Sequence, residues 1–235
     1  MKRVYKSVDF RQVEDGWGIA LDGKPLRTPA KRELRVPTGP LAAAIAAEWD
    51  AQDPDIRPET MPLTRLAATA IDRTAERRPD IAAEVANYAG TDLVCYRADQ
   101  PAALAARQEA LWQPLIDWAA GRYDAGLAVT AGIVPLTQSP ASLRTYANVV
   151  AALDDFRLTA LHAATATCGS LVIALALYEG RLDAEAAFAA SQLDETFQIE
   201  GWGEDAEAAA RRALLAADIV AAARFLDLLG GSRQN

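Results

Sequence analysis

Residues 158–177, with the sequence LTALHAATATCGSLVIALAL, contain no aspartate, glutamate, lysine or arginine. A helix that is apolar on every side either spans a membrane or lies at the centre of a helical core. The length suits a bilayer, which needs roughly 20 apolar residues, but no Lys/Arg cluster or aromatic belt flanks the stretch. Polar side chains also dilute it, at Thr159, His162, Thr165, Thr167 and Ser170. We therefore predict one buried helix at the centre of a helical core, ended at Gly180.

The composition is that of an ordinary globular protein, with 51% hydrophobic and 24% charged residues. A net charge of -8 argues against nucleic acid or an anionic membrane as a partner, since both attract basic surfaces. The two cysteines, Cys95 and Cys168, lie in apolar runs and are expected to be buried, reduced thiols. Acidic residues rather than an apolar run follow the basic start, so no secretory signal or transit peptide is expected. We predict a cytoplasmic location.

Short β-type segments occupy the first forty residues, at 4–10, 17–21 and 33–36. The Asp22-Gly23 pair is a strong signal for a tight turn in a hairpin. Thr38, followed by a proline at position 40, is the usual opening of a helix, and this helix is expected to end near residue 52. The N-terminal part is therefore predicted to be a small α/β unit of short antiparallel strands with a helix.

The rest of the chain is rich in alanine and has mainly helical patterning. Strand candidates interrupt it at 92–97 and 127–134, and these two strands are expected to pair. Helices are predicted at 63–76, 80–88, 103–123, from 139, at 183–198 and at 204–229. Ser139 and Asp183 are expected to cap the helices that begin at these two residues. The predicted fold class is α+β, with an N-terminal α+β domain at 1–75 and a larger, mainly helical C-terminal domain at 76–235.

Residues of the usual catalytic and metal sites are scarce. One histidine and two distant cysteines do not make a zinc site of the common kind, so no metal is expected. His162 lies among alanines and is interpreted as a hydrogen-bonded core histidine rather than a base. Residues 18–24, GIALDGK, fit the spacing of a phosphate loop, but Pro25 stands where Ser or Thr would bind magnesium. We expect no catalytic residue, no cofactor and no small-molecule substrate.

The most unusual polar stretch is residues 193–207, LDETFQIEGWGEDAE, where six carboxylates surround Phe197 and Trp202. One interpretation is a solvated helix end, a turn at 201–203 and acidic residues at the start of the next helix. The other is a recognition patch, in which a turn presents an aromatic side chain within an acidic rim. The residues alone leave both open.

Five stretches stand out when they are taken together: DGKPLRTPAK (22–31), LAAAIAAEWDAQ (41–52), MPLTRLAATAID (61–72), YAGTDLVCYRA (88–98) and LDETFQIEGWGEDAEA (193–208). In this order they resemble one family, the ATP synthase F1 assembly chaperones that bind the α subunit. The resemblance implies a non-enzymatic chaperone that keeps the free α subunit from aggregating before the F1 ring assembles, without ATP hydrolysis. It also implies the α+β architecture described above. Eukaryotic members act in the mitochondrial matrix, and the expected absence of a transit peptide indicates a bacterial relative.

The same resemblance supplies the candidate partner-binding residues, which are Trp49, Glu195, Gln198, Trp202, Gly203 and Glu204. The glutamates would meet polar or basic groups of the client, Trp202 would make an apolar contact, and Gly203 would form the turn that presents it. Trp49 is either a contact or part of the core. Two other functions remain open at this stage: a small-molecule enzyme that uses the acidic patch near Glu195 and Glu204 as an acid/base pair, and a general holdase.

Overall fold

The computed structural model describes residues 2–132 and 135–230. Two compact units emerge from the contacts within the chain. Of the described residues, unit 1 comprises those up to Arg78, Asp154–Ala160 and 224–230, whereas unit 2 comprises Pro79–Leu153 and Leu161–Ala223.

Unit 1 is built on a four-stranded antiparallel sheet. Strands β1 (Val8–Val13) and β2 (Gly16–Leu21) form a hairpin, and β2 also pairs with β3 (Lys24–Pro25) and with β4 (Arg35–Val36). The turn between β2 and β3 is formed by Asp22 and Gly23, which both have positive φ, at 49° and 75°. Both signs are those of the tight turn that the Asp-Gly pair predicts. Residues 18–24, which have the spacing of a phosphate loop, are therefore part of a hairpin.

Two helices follow the sheet in unit 1. Helix α1 (Gly39–Asp50) begins as predicted, because the Thr38 side chain accepts a hydrogen bond from the Leu41 amide at 3.3 Å. Helix α2 (Pro62–Thr69) continues into a π-helical turn at Ala70–Thr74. The apolar faces of these elements form the core of unit 1, with Leu34, Leu41, Ile45 and Leu63 at no more than 1% exposure.

Two later segments of the chain complete unit 1. The Thr38 hydroxyl donates a hydrogen bond to the carbonyl of Leu228 at 2.6 Å. Phe156 stacks on the fully buried ring of Phe225, with 6.4 Å between the ring centroids. Residues far apart in sequence therefore contribute to the same core.

Unit 2 is mainly helical. Its helices, together with those that it shares with unit 1, are α3 (Arg78–Asn87), α4 (Ala102–Tyr123), α5 (Pro140–Ala151), α6 (Asp155–Cys168), α7 (Leu171–Tyr178), α8 (Ala184–Ser191), α9 (Leu193–Trp202) and α10 (Ala206–Leu228). Trp112 of α4 is fully buried and donates from its indole nitrogen to the carbonyl of Ala190 at 2.8 Å. The predicted caps Ser139 and Asp183 accept hydrogen bonds from the first turns of α5 and α8.

The prediction of one central helix at 158–177 is wrong, because the chain forms α6 and α7 with a break at Gly169 and Ser170. Gly169 has a φ of +65°, and Ser170 caps α7 by accepting from the amide of Ile173 at 3.0 Å. The burial was predicted correctly for α7, in which Leu171 to Ala176 are completely buried. No helix among the described residues is long and apolar enough to cross a membrane.

Buried polar contacts explain the position of this break. The carboxylate of Asp92, which is itself completely buried, accepts hydrogen bonds from the Ser170 hydroxyl at 2.5 Å and from the Val172 amide at 3.0 Å. It therefore satisfies donors at the start of α7 that a continuous helix would have used internally. His162 of α6 is hydrogen-bonded as predicted, to Glu84 at 3.2 Å, but its side chain is 33% exposed and so is not a core residue.

The second predicted strand pair is present in reduced form. Strand β5 (Tyr96–Arg97) pairs in parallel with β6 (Thr130–Ala131), while Leu93–Cys95 is a 3₁₀ turn. The end of the predicted strand, at 133–134, lies outside the described residues. The α+β class with a small antiparallel sheet at the N-terminus is confirmed. The division into domains at residue 75 stays a prediction.

Cys95 and Cys168 are free and buried, as expected. Burial raises the pKa of both thiols to about 12. Since the thiolate is the reactive form of cysteine, both thiols are inert at neutral pH.

Candidate functional site

Five of the six candidate residues lie in unit 2, on α9 or in the turn between α9 and α10, with Glu195 in the first turn of α9. Helix α9 ends at Trp202 because Gly203 follows with a φ of +85°, which side chains rarely adopt. The next helix begins at once, since the Asp205 carboxylate accepts a hydrogen bond from the Ala208 amide at 2.8 Å. The stretch 193–207 is thus the whole of α9, a glycine turn and a capped helix start, and we call it the acidic segment. The prediction of one helix at 183–198 is wrong, because α8 ends at Ser191 and α9 begins at Leu193, and the turn predicted at 201–203 is confined to the residues after Trp202.

The turn presents Trp202 to solvent. This side chain is 84% exposed, more than any other large apolar side chain of the described residues except Val4, which has the same exposure. Gln198, one turn earlier on α9, is also exposed. A tryptophan in such a position buries no apolar surface in the free protein, so it is available to a partner.

Two carboxylates of the acidic segment form exposed ion pairs with arginines of other helices. Glu195 lies 3.6 Å from Arg211, and Glu200 lies 2.6 Å from Arg107. Exposed ion pairs of this kind contribute about 0–1 kcal/mol each to the free energy of unfolding. Their removal is therefore expected to alter the surface charge more than the stability.

Glu204 is bound differently, because its partner Arg212 is mostly buried. The Arg212 side chain is 16% exposed, lies 3.1 Å from Glu204, and stacks over the ring of Phe188 at 5.3 Å. It also donates to the Thr196 hydroxyl at 3.1 Å. Glu204 therefore neutralises a largely desolvated guanidinium and holds the start of α10 against α9, which is a structural contribution that the sequence did not reveal.

The sequence analysis missed these arginines. Arg211 and Arg212 form an adjacent pair in an otherwise alanine-rich helix, and Arg107 lies about ninety residues before the acidic segment. The adjacent pair was a weak signal for an ion-pair network, and Arg107 gave none.

Trp49, the sixth candidate, belongs to unit 1 and is half-buried. Its ring contacts the ring of Tyr5, with 5.8 Å between the centroids, and packs on the cluster of Tyr5, Ile56 and Met61. Its backbone carbonyl accepts a hydrogen bond from the Tyr5 hydroxyl at 2.6 Å. Trp49 also lines a cavity of about 820 Å³ within unit 1. It is therefore a core residue on one side and accessible to a ligand on the other.

The arrangement around the acidic segment does not resemble an acid/base site. A cavity of about 320 Å³ next to α9 is lined by one arginine, one threonine and four apolar residues, and none of the carboxylates lines it. Among the described residues no group of three or more His, Cys, Asp or Glu side chains could hold a metal ion. An enzyme of this kind would need two carboxylates that converge in a pocket, and this cavity does not provide them.

Comparison with known proteins decides between the remaining functions. The family described as ATP12 chaperone protein has a sequence model that matches residues 2–120. The chain belongs to the ATP12 chaperone family. The crystal structure of Atp12 from Paracoccus denitrificans is 46% identical, covers 97% of this chain and 98% of its own, and superimposes with a TM-score of 0.94.

Other relatives agree with this membership. The Atu1473 protein from Agrobacterium tumefaciens is 41% identical, with a TM-score of 0.93 over 97% of this chain and 86% of that one. The mitochondrial protein atp12 of Schizosaccharomyces pombe is 26% identical over 202 residues, which are 80% of this chain and 69% of that protein. The ATP12 family protein described here is a chaperone for assembly of the F1 sector of ATP synthase and not an enzyme.

Proposed function

We propose that this chaperone binds the unassembled F1 α subunit through the junction of α9 and α10. The observation that carries the proposal is Trp202, which is 84% exposed at a glycine turn within an acidic rim. Subunits of a ring carry two different adhesive faces, and a free subunit can associate wrongly through either of them. A protein that covers such a face and is displaced by the correct neighbour prevents this association without using ATP.

The candidate residues contribute in different ways to this surface. Trp202 provides the apolar contact, and Gly203 sets the direction in which it projects. Glu195 and Gln198 lie on α9 and offer an acceptor and an amide to polar or basic groups of the client. Glu204 acts mainly through Arg212, because their ion pair at 3.1 Å fixes the turn.

We place the protein in the bacterial cytoplasm. The two buried, free cysteines suit a reducing compartment, and two of the similar proteins come from the bacteria Paracoccus denitrificans and Agrobacterium tumefaciens. The mitochondrial matrix is the corresponding compartment for the eukaryotic relatives.

Co-expression with the α and β subunits of F1 from the same source, each separately, tests the proposed client. We expect the α subunit alone to become soluble and to co-elute with the chaperone. Binding of neither subunit, or equal binding of β, would contradict the proposal. An unrelated aggregation-prone protein serves as a further control, because a general holdase would keep it soluble as well.

Substitutions at the turn then test the surface. Trp202→Ala is the sharpest variant, since the exposed ring contributes little to folding, and we expect the affinity for α to fall by at least about tenfold. Val4→Ala is the matched control, because Val4 is also 84% exposed but lies in unit 1. Unchanged affinity in Trp202→Ala, with normal folding, would place the contact elsewhere.

Charge substitutions need more care because of the arginine partners. Glu195→Lys disturbs only the exposed pair with Arg211, whereas Glu204→Lys also leaves the mostly buried Arg212 facing a like charge. Glu204→Gln keeps a hydrogen-bond acceptor for Arg212 and is the better variant. If Glu195→Lys and Glu204→Gln both folded and bound α normally, the charges of Glu195 and Glu204 would have no part in the interface.

A further inference from the structure

A cavity of unit 1 is distinct from the acidic segment, which belongs to unit 2. It has a volume of about 820 Å³, within the range of roughly 300–1,000 Å³ that is typical of ligand sites. Its walls come from the loop after β3, from α1, from the chain before α2 and from α2 with its π-helical turn. We call it the unit 1 cavity.

The interior of the unit 1 cavity is apolar. Leu34, Ile56 and Met61 line it and are at most 9% exposed, so they form its floor. The half-buried ring of Trp49 forms part of the wall. The indole nitrogen of this tryptophan is buried and has no acceptor among the described groups. An apolar side chain of a ligand would be desolvated against this floor, as in the pockets that anchor binding hot spots.

The rim of the cavity is positively charged. Arg27, Arg65 and Arg73 line it and are all exposed, in a chain whose net charge is -8. The single lining carboxylate, Asp72, accepts hydrogen bonds from the Thr28 hydroxyl at 2.7 Å and from the Ala30 amide at 3.0 Å. Asp72 therefore fixes the loop after β3 as part of the wall, and the rim keeps an excess of guanidinium groups. Guanidinium groups bind carboxylates with short, charge-assisted hydrogen bonds.

The backbone of the wall is also unusual. The π-helical turn at Ala70–Thr74 closes with a bond from the Ala75 amide to the carbonyl of Ala70, and it carries both Asp72 and Arg73. A π turn inserts one residue into a helix and is less favourable than a continuous α-helix. Such turns are rare, and they occur frequently at functional sites. Here the insertion brings an anchoring carboxylate and a rim arginine to the same cavity.

We propose that the unit 1 cavity binds an extended segment of the client polypeptide in which an apolar side chain lies next to a carboxylate. The apolar side chain would enter between Trp49, Ile56 and Met61, and the carboxylate would pair with the rim arginines. This inference rests on the proposed function, since it takes the F1 α subunit as the client. It gives the chaperone a second contact, separate from Trp202, and it assigns Trp49 a role in binding as well as in the core.

Two variants of the full-length protein test the inference. Ala68→Phe, on the cavity side of α2, fills the space without removing a hydrogen bond, and the double variant Arg27→Gln with Arg73→Gln neutralises two exposed rim positions. The matched control is Lys6→Gln with Arg11→Gln, which changes the net charge equally at exposed positions that do not line the cavity. The Kd for the purified α subunit and the thermal unfolding of each variant are measured.

We expect both cavity variants to raise the Kd by at least about tenfold, because Ala68→Phe blocks the apolar floor and the double arginine variant removes charge-assisted hydrogen bonds to the client. The control variant should change the Kd by less than about twofold. Peptides that span the α sequence are then tested by fluorescence polarisation. Those that bind are expected to contain an apolar residue beside Asp or Glu, to compete with α, and to bind more weakly to the rim variant.

The outcomes separate this inference from the proposed function. If the wild-type protein failed to bind α, both would be overturned. If wild type bound α and the rim variant, correctly folded, bound it equally well, only the cavity inference would be wrong. The rim variant decides even if Ala68→Phe does not fold, since its two positions are exposed. Binding of ATP or inorganic phosphate at the rim without competition by α would also overturn the inference in favour of a small-molecule site.

Discussion

Replacement of Asp92 by asparagine tests the buried polar centre of unit 2. The carboxylate accepts hydrogen bonds from the Ser170 hydroxyl and from the amides of Val172 and Val94. Burial nevertheless outweighs these bonds and raises the pKa of Asp92 from 3.8 to about 6. The ionised carboxylate is therefore less stable in the folded protein than in the unfolded chain.

The sign of the pH dependence follows from this shift. Between the two pKa values the folded state binds more protons than the unfolded state, so stability falls as the pH rises from about 3.8 to about 6. With pKa values of 3.8 and about 6, the group stabilises the fold by roughly 1 kcal/mol at pH 5.0 relative to pH 7.5. Asp92→Asn removes this contribution while keeping the size of the side chain.

Urea denaturation of wild type and Asp92→Asn, followed by tryptophan fluorescence at pH 5.0 and 7.5, measures the effect. Low micromolar protein is advisable at pH 5.0, because the isoelectric point is about 4.8. We expect the substitution to cost roughly 1 kcal/mol more at pH 5.0 than at pH 7.5. The contributions of all other titrating groups cancel in this difference.

Ser170→Ala provides the second half of the test. The Ser170 hydroxyl lowers the pKa of Asp92, so its removal raises that pKa further and makes the fall in stability between pH 5.0 and 7.5 steeper than in wild type. Asp92→Asn should thus flatten the pH dependence and Ser170→Ala should increase it. Parallel pH profiles for wild type and Asp92→Asn would refute the reasoning, because Asp92 would then titrate alike in both states.

Three further substitutions have expected effects on the free energy of unfolding, measured by urea denaturation at pH 7.5. Glu48→Ala leaves two amides and a hydroxyl in the first turn of α2 without their acceptor and should cost about 2–4 kcal/mol, whereas Glu48→Gln should recover part of the loss. Trp112→Phe loses the hydrogen bond to Ala190 and leaves a cavity, so it should cost about 2–3 kcal/mol. A cost below about 1 kcal/mol would contradict the close packing around the buried Trp112 ring. Gly16→Ala places a Cβ atom 2.6 Å from the Val36 carbonyl at a φ of +121° and should cost about 2 kcal/mol or more, while the same change at Gly23, which has open space, should cost less.

The candidate site was predictable in part. The exposed Trp202 and the turn at Gly203 were expected from the resemblance and from the local pattern of an aromatic residue between two glycines. The pairing of Glu204 with a buried arginine was not, since it depends on the packing of α10 against α9. The unit 1 cavity was also missed, because its lining comes from separate segments between residues 27 and 73.

Local signals account for the features that the sequence alone determined. The caps at Thr38, Ser139 and Asp183, and the Asp-Gly turn of the hairpin, depend on residues no more than four positions apart, and all of them formed as predicted. The order of β-type and helical segments was enough for the α+β class, and the apolar runs around both cysteines were enough for their burial. The resemblance, spread over five stretches, was enough for the family.

Only the tertiary structure decided where the apolar stretch 158–177 would break. A local pattern without charges favours one long helix, and neither Gly169 nor Ser170 forbids it. The break is stabilised by Asp92, which lies 78 residues before Ser170 and becomes available as an acceptor only when the chain has folded. Contacts over such distances are formed by packing and leave no periodic trace in the sequence, and the unit 1 cavity, whose lining extends from residue 27 to residue 73, escaped prediction for the same reason.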